Sequence, residues 1–249
     1  MTHKVVQITD THLFKVPGET QKGVDTHRTL QAVVADVVGR HADFDALLLT
    51  GDLSQDETPE SYDLLERTLA PLRGAPFHAI PGNHDDLDAM GARLAAEDFH
   101  VLADVRLDGW RIAMLNSRVP GRVHGELGTE QIGALKASLA GAGEHVMVAL
   151  HHPPVSIDSA WIDASRCLDG DDLLAVLDNP PVKAVVCGHV HQELAAERNG
   201  IAVLATPSTC VQFLPGSDEF AIDPAAPGYR VFELEEDGRW STTVIRVAV

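Results

Sequence analysis

Residues 45–52 read DALLLTGD, a short apolar run that stops on Gly51-Asp52. A run of that length between polar breaks reads as a strand. The same form recurs at KVVQITDTH (4–12), FHAIPGNHD (77–85), HVMVALHH (145–152) and VKAVVCGHVH (182–191). Longer helical patterns lie between these strands. Helices are predicted over Val24 to Val38, with Asp25 or Thr26 as N-cap, and over Pro59 to Leu72, where Tyr62, Leu65, Leu69 and Leu72 recur at three and four. Others are predicted over Leu87 to Ala96, Thr129 to Leu139 with Thr129 as N-cap, and Asp171 to Leu177. Three segments read as hairpins, turning at Asp108-Gly109, Asn199-Gly200 and Asp237-Gly238.

The first part of the chain therefore resembles βαβ units, and the last part is mostly antiparallel. That combination points to two packed sheets with helices outside. No internal repeat or linker divides residues 1–249, so a single domain is expected. Gly121 to Gly128 and Pro215 to Pro227 are the best loop candidates. Trp110 and Trp240 sit in hairpins and read as sheet packing. Trp161 lies in a loop after HHPP and could stack on a base.

Composition narrows the function. Apolar residues make up 45%, enough for a full core. Asp and Glu number 37 against 19 Lys and Arg, a net charge of −18, which disfavours a general grip on nucleic acid or an anionic membrane. Three widely spaced cysteines with no CxxC disfavour a disulfide framework or a thiolate zinc site. No leader pattern or spanning segment is evident, and a cytoplasmic location is expected.

Five polar clusters follow directly on predicted strands: Asp10-Thr11-His12, Gly51-Asp52, Gly82-Asn83-His84-Asp85, His151-His152 and Gly188-His189-Val190-His191. In open α/β sheets ligands bind beyond the carboxyl ends of strands, so these clusters can converge on one rim. Imidazole, carboxylate and amide groups together suit first-row metals. Asp10, His12, Asp52, Asn83, His151, His189 and His191 supply seven side chains, of which two are carboxylates. Two divalent ions bring about +4, leaving a positive site suited to phosphate. Gly51, Gly82 and Gly188 are expected to allow sharp turns. The i,i+2 spacing of Asp10/His12 and His189/His191 is expected to put each pair on one face of an extended segment. His3, His27, His41, His78, His100 and His145 carry no motif and read as structural or solvated.

D-x-H, GD, GNH[DE], a strand-end His and GHxH, in that order, resemble the calcineurin-like metallophosphoesterases. The resemblance implies a mixed α/β fold, a four-layer αββα sandwich of two mixed β-sheets flanked by helices, with a dimetal site at the strand C-terminal rim. QITDTHLF, TGDLSQD, PGNHDD, HHPP and CGHVHQEL, followed by ATPSTCVQFLP and APGYRVFEL, are similar more narrowly to the class III bacterial 3′,5′-cyclic-AMP phosphodiesterases.

That likeness implies two divalent or trivalent ions per chain, from Fe, Mn or Zn. One would take Asp10, His12, Asp52 and His191, and the other Asp52, Asn83, His151 and His189, with Asp52 bridging. His151 is chosen over His152 because it comes first off the strand. The implied substrate is a small cyclic nucleotide, with His12, Asp52, Asn83, His84 and His191 around its phosphate. The implied reaction is in-line attack by a hydroxide held between the metals, giving 5′-AMP. Asp52, Asn83 and His84 are the catalytic set, with His84 as general acid to the ribose oxygen. The ligand set does not separate this from hydrolysis of another small diester, such as a glycerophosphodiester, and a non-catalytic metal-binding scaffold is a third reading. Neither nucleic acid nor membrane is expected as a partner, and a homodimer is left open.

One departure stands out. Many members of the wider family carry an Asp three residues after the bridging Asp, where it orients the GNH histidine, and here that position is Gln55. Asp56, Asp85 or a backbone carbonyl is expected to orient His84 instead. Ser208, Thr209 and Gln212 could face the nucleotide or serve as turn residues. His124-Gly125 reads as the start of a loop.

Overall fold

A computed structural model describes residues 1–177 and 182–249. The chain opens with β1 (Thr2–Ile8), a small ribbon of β2 (Thr20–Gln21) and β3 (Val24–Asp25), and α1 (Thr26–His41). Next come β4 (Ala46–Thr50), α2 (Pro59–Leu69), β5 (Phe77–Ile80), α3 (Leu87–Arg93) and β6 (Phe99–Val101). A second series contains β7 (Val105–Leu107), β8 (Trp110–Met114), α4 (Gly128–Leu139), β9 (His145–Ala149), α5 (Ala160–Asp163), α6 (Gly170–Leu177), β10 (Val182–Cys187), β11 (Leu194–Arg198) and β12 (Ile201–Ala205). The chain then forms a ribbon of β13 (Gln212–Phe213) and β14 (Ile222–Asp223), and ends in β15 (Gly228–Glu235) and β16 (Trp240–Arg246).

Two six-stranded sheets result, ordered β16-β15-β1-β4-β5-β6 and β11-β12-β10-β9-β8-β7. In the first, β1, β4, β5 and β6 are parallel, β15 pairs antiparallel with β1, and β16 pairs antiparallel with β15. In the second, β8, β9, β10 and β12 are parallel, flanked by antiparallel β7 and β11.

The period of two along each strand explains the layers. Leu47 and Leu49 of β4 pack outward with Leu30 and Val33 of α1 and Leu65 of α2. Ala46 and Leu48, one residue out of phase, pack inward with Trp110, Met147 and Val186 of the other sheet. On the far side Val146, Val148 and Val185 pack under Leu135 of α4 and Leu173 of α6. The stack is helices, sheet, sheet, helices: the four-layer αββα sandwich.

Several boundaries differ from the sequence reading. The helix read over Val24 to Val38 spans Thr26–His41, with the Asp25 carboxylate accepting from the Arg28 amide. The Pro59 to Leu72 helix tightens into a 3₁₀ turn at Ala70–Leu72, and the Leu87 to Ala96 helix stops at Arg93. Thr129 is no N-cap: α4 starts at Gly128, and the Asp169 carboxylate accepts from the Leu127 and Gly128 amides at 3.0 and 2.7 Å. That cap arrives from a loop 41 residues away, which local pattern cannot show. The short β6 and α5 were not foreseen, and β14 crosses the loop read over Pro215 to Pro227. Trp161 sits in α5, its ring against the edges of Phe213 and Phe220.

Candidate metal centre

All five polar clusters meet at one rim. Asp10 and His12 follow β1, Asp52 follows β4, and Asn83 and His84 follow β5. His151 follows β9, and His189 and His191 follow β10, so both sheets contribute.

The backbone turns hard to deliver these groups. Asp10, His12, Asp52, His189 and His191 have φ of 53°, 45°, 50°, 69° and 49°, in the left-handed region that side chains disfavour. The extended i,i+2 geometry is therefore replaced: left-handed residues, and not a strand, set each pair on a common side. Gly51 turns as expected, with φ of 96°. Gly82 and Gly188 do not have positive φ; their reason is close approach. A side chain on Gly82 would strike Asp52, and one on Gly188 would strike Thr9 and Asp10.

The side-chain geometry has two foci. At one, His12 Nε2 and His191 Nε2 stand 3.0 Å apart, with Asp10 Oδ1 at 3.4 Å from His191 Nε2 and Asp52 Oδ2 at 3.6 Å from His12 Nε2. At the other, His151 Nε2 lies 3.4 Å from the same Asp52 Oδ2. Donor atoms that share one ion at ~2.1 Å stand roughly 3.0–3.5 Å apart, so these spacings fit metal ligation. Asn83 Oδ1 and His151 Nε2 are buried with no hydrogen-bond partner, an arrangement that costs stability unless something occupies the space. On these observations the residues fit a metal pair.

The remaining ring nitrogens are already engaged. Nδ1 of His191 donates to the Val211 carbonyl at 2.7 Å, and Nδ1 of His151 to the Thr50 carbonyl at 2.7 Å. Such bonds leave each Nε2 free to take a metal. His189 is turned round: its Nε2 meets Ser165 Oγ at 3.1 Å, leaving Nδ1 for the centre. His152 has both nitrogens in hydrogen-bond contact, with Ser117 Oγ at 2.8 Å and the Val123 carbonyl at 3.0 Å, beside His151 and His189.

Electrostatics follow from burial and pairing. Burial pushes Asp10 up, but the His191 imidazole outweighs it and holds the carboxyl below the usual range. Burial likewise raises Asp52, yet His151 holds it well below. For His12 burial wins over the pull of Asp52 and lowers it to about 3. For His151 the order is reversed: burial lowers it, and the Asp52 carboxylate overrides this and raises it to about 9.

The structure also places residues that the sequence reading missed. Thr9 donates to Asp10 Oδ2 at 2.7 Å, Ser165 partners His189, and Phe213 stacks face to face on His191 at 4.1 Å. Only Thr9 carried a signal, being next to Asp10. Ser208 is buried and donates to the Asp10 carbonyl. Gln212 is buried too, donating to the Ser208 carbonyl. Asp85 and Asp56 do not orient His84. Asp85 is buried and accepts from Gly82, Leu53, Ser54 and Tyr62, and Asp56 accepts from Lys15 and Thr58. The group in contact with His84 Nδ1 is Gln55 itself, at 3.3 Å.

Calcineurin-like phosphoesterase sequences match residues 3–193. A 3′,5′-cyclic adenosine monophosphate phosphodiesterase CpdA of Vibrio vulnificus is 41% identical over 98% of this chain and 90% of its own. The CpdA of Escherichia coli K12 is 40% identical over 98% and 90%. Among solved structures, a dimetal phosphatase from Danio rerio superposes with a TM-score of 0.64 at 15% identity, covering 99% of both chains. The family match runs from the first strand past His191, taking in strands of both sheets and all seven rim donors, and the chain belongs to the calcineurin-like phosphoesterase family.

Proposed function

We propose that this chain hydrolyses 3′,5′-cyclic AMP to 5′-AMP at a centre holding two metal ions. The observation that carries the reading is the likeness, at about 40% identity over 98% of the chain, to proteins named as cyclic-AMP phosphodiesterases. Asp10, His12, Asp52 and His191 would hold one ion, and Asp52, Asn83, His151 and His189 the other. The double role of Asp52 is supported by its Oδ2, 3.6 Å from His12 Nε2 and 3.4 Å from His151 Nε2.

When bound, the metal pair supplies an activated water and neutralises the phosphate. The chain's own groups position the diester and stabilise charge. Asp52 Oδ1 accepts from the His84 amide at 2.8 Å, which ties the turn carrying Asn83 and His84 to the Asp52 carboxylate. Asn83 and His84 then offer donors to the phosphoryl oxygens as charge builds up, an effect of about 10²–10³ per donor. His12 and His191 flank the same space, their ring centres 4.9 Å apart.

The test is a substrate panel on protein of verified metal content: cyclic AMP, 5′-AMP, a glycerophosphodiester and a nitrophenyl diester. Cyclic AMP should yield 5′-AMP, and 5′-AMP itself should turn over poorly. Equal rates on monoesters, or no turnover of the cyclic nucleotide, would overturn the reading. Preference for the glycerophosphodiester would transfer it to that substrate class.

A further inference from the structure

Gln55 lies between two histidines of the site. Its Oε1 is 2.8 Å from His12 Nδ1, and its Nε2 is 3.3 Å from His84 Nδ1. The same Oε1 accepts from Gln21 Nε2 at 2.7 Å, and Gln21 Oε1 accepts in turn from the Cys210 thiol at 3.0 Å. Gln21 belongs to β2 and Cys210 to the segment after β12. Residues distant in sequence thus form one hydrogen-bonded line ending at His84.

The direction of that line is determined. His12 Nε2 faces the metal position, 3.0 Å from His191 Nε2, so it must be bare to bind, and the ring hydrogen sits on Nδ1. A nitrogen that donates needs an acceptor, so Gln55 must turn its oxygen to His12. Gln21 fits the same orientation. The Cys210 thiol hydrogen takes Gln21 Oε1, and Gln21 presents its NH₂ to Gln55. That orientation places the Gln55 NH₂ against His84, which must accept at Nδ1.

We propose that Gln55, braced by Gln21, is a positioning residue that keeps the His84 ring hydrogen on Nε2. His84 then meets its ligand as a donor with that nitrogen. A carboxylate at position 55 would act oppositely, since it accepts and would call the hydrogen to Nδ1. The inference rests on His12 binding through Nε2, as in the proposed function.

The test is nitrogen NMR of ¹⁵N-histidine-labelled, zinc-loaded protein, with His84 assigned by its loss in His84→Ala. In the unmodified chain the His84 hydrogen should be on Nε2, and in Gln55→Glu the Nδ1 atom should gain one. Gln55→Leu should populate both tautomers with two zinc ions retained, and should lower kcat about 10–100-fold with a smaller change in KM. A hydrogen on Nδ1 in the unmodified chain overturns the proposal. So does a bare Nδ1 in Gln55→Glu. If Gln55→Glu does not fold, an unchanged single tautomer in Gln55→Leu overturns it instead. The Nε2 hydrogen in place without cyclic-nucleotide turnover would sink the substrate reading alone.

Discussion

At the residue scale, five of the seven rim donors hold a backbone conformation that costs about 1–2 kcal/mol for an L-residue. Such strain persists only where surrounding contacts over-determine it, and here the contacts are present. Asp10 accepts from the His189 amide at 3.1 Å, and the His12 amide donates to the Asp52 carbonyl at 2.9 Å. The donors therefore hold one another in place. Asp52 is the sole side chain proposed for both ions, so Asp52→Ala should lose both. His12→Ala or His191→Ala should weaken one site, and Asn83→Ala or His151→Ala the other. Elemental analysis of the purified variants checks this, and two retained ions per chain in Asp52→Ala would refute the bridge.

His84 gives a second prediction at this scale. As a general acid it would matter chiefly for a ribose leaving group, and His84→Ala would slow cyclic AMP a further 10²–10⁴-fold or so relative to a nitrophenyl diester. The Gln55 line favours the other role, a hydrogen-bond donor to the phosphoryl group on every substrate. His84→Ala should then cost about 10²–10³-fold on both substrates, with metal content unchanged. Parallel kinetics on the two diesters decide it; a much larger loss on cyclic AMP would restore the acid.

At the scale of elements, the α4 cap separates local from tertiary causes. Thr129 is exposed and makes no capping bond, so Thr129→Ala should change stability by less than about 0.5 kcal/mol. Asp169→Ala removes the acceptor for two amides at the helix start and should cost about 1–2 kcal/mol in urea unfolding. The same contrast sets what could be read beforehand. DALLLTGD was legible because one apolar run and one polar stop lie side by side in sequence. Gln21, Ser165 and Phe213 were not, because each gains its meaning from a partner 34, 24 or 22 residues away. Gln55 was visible as an oddity, yet only the folded chain shows which atoms it touches.

At the scale of the whole molecule, each proposed metal position draws from both sheets: Asp10, His12, Asp52 and Asn83 from one, His151, His189 and His191 from the other. Metal should therefore stabilise the packing of sheet on sheet, and chelation should lower Tm. Binding should also depend on pH in a definite sense. His151, raised to about 9, is protonated at neutral pH in the metal-free fold and must give up that proton to an ion. Affinity at that position should rise about tenfold per pH unit as the proton is lost, and level off above pH 9. Calorimetry in buffers of different ionisation enthalpy would detect the released proton, and pH-independent binding would contradict the assignment.

The antiparallel pairing of β1 with β15 joins Gln7 near the start of the chain to Arg230 near its end. On the ribosome β1 must wait for most of the polypeptide before that edge is covered. His191 emerges late as well, and the Val211 carbonyl that orients it emerges later still. A nascent chain halted near residue 200 thus carries every proposed ligand but lacks the strand and the carbonyl that set them in place. Metal loading should therefore wait for residues 211–235, and a chain halted near residue 200 should bind its ions more weakly.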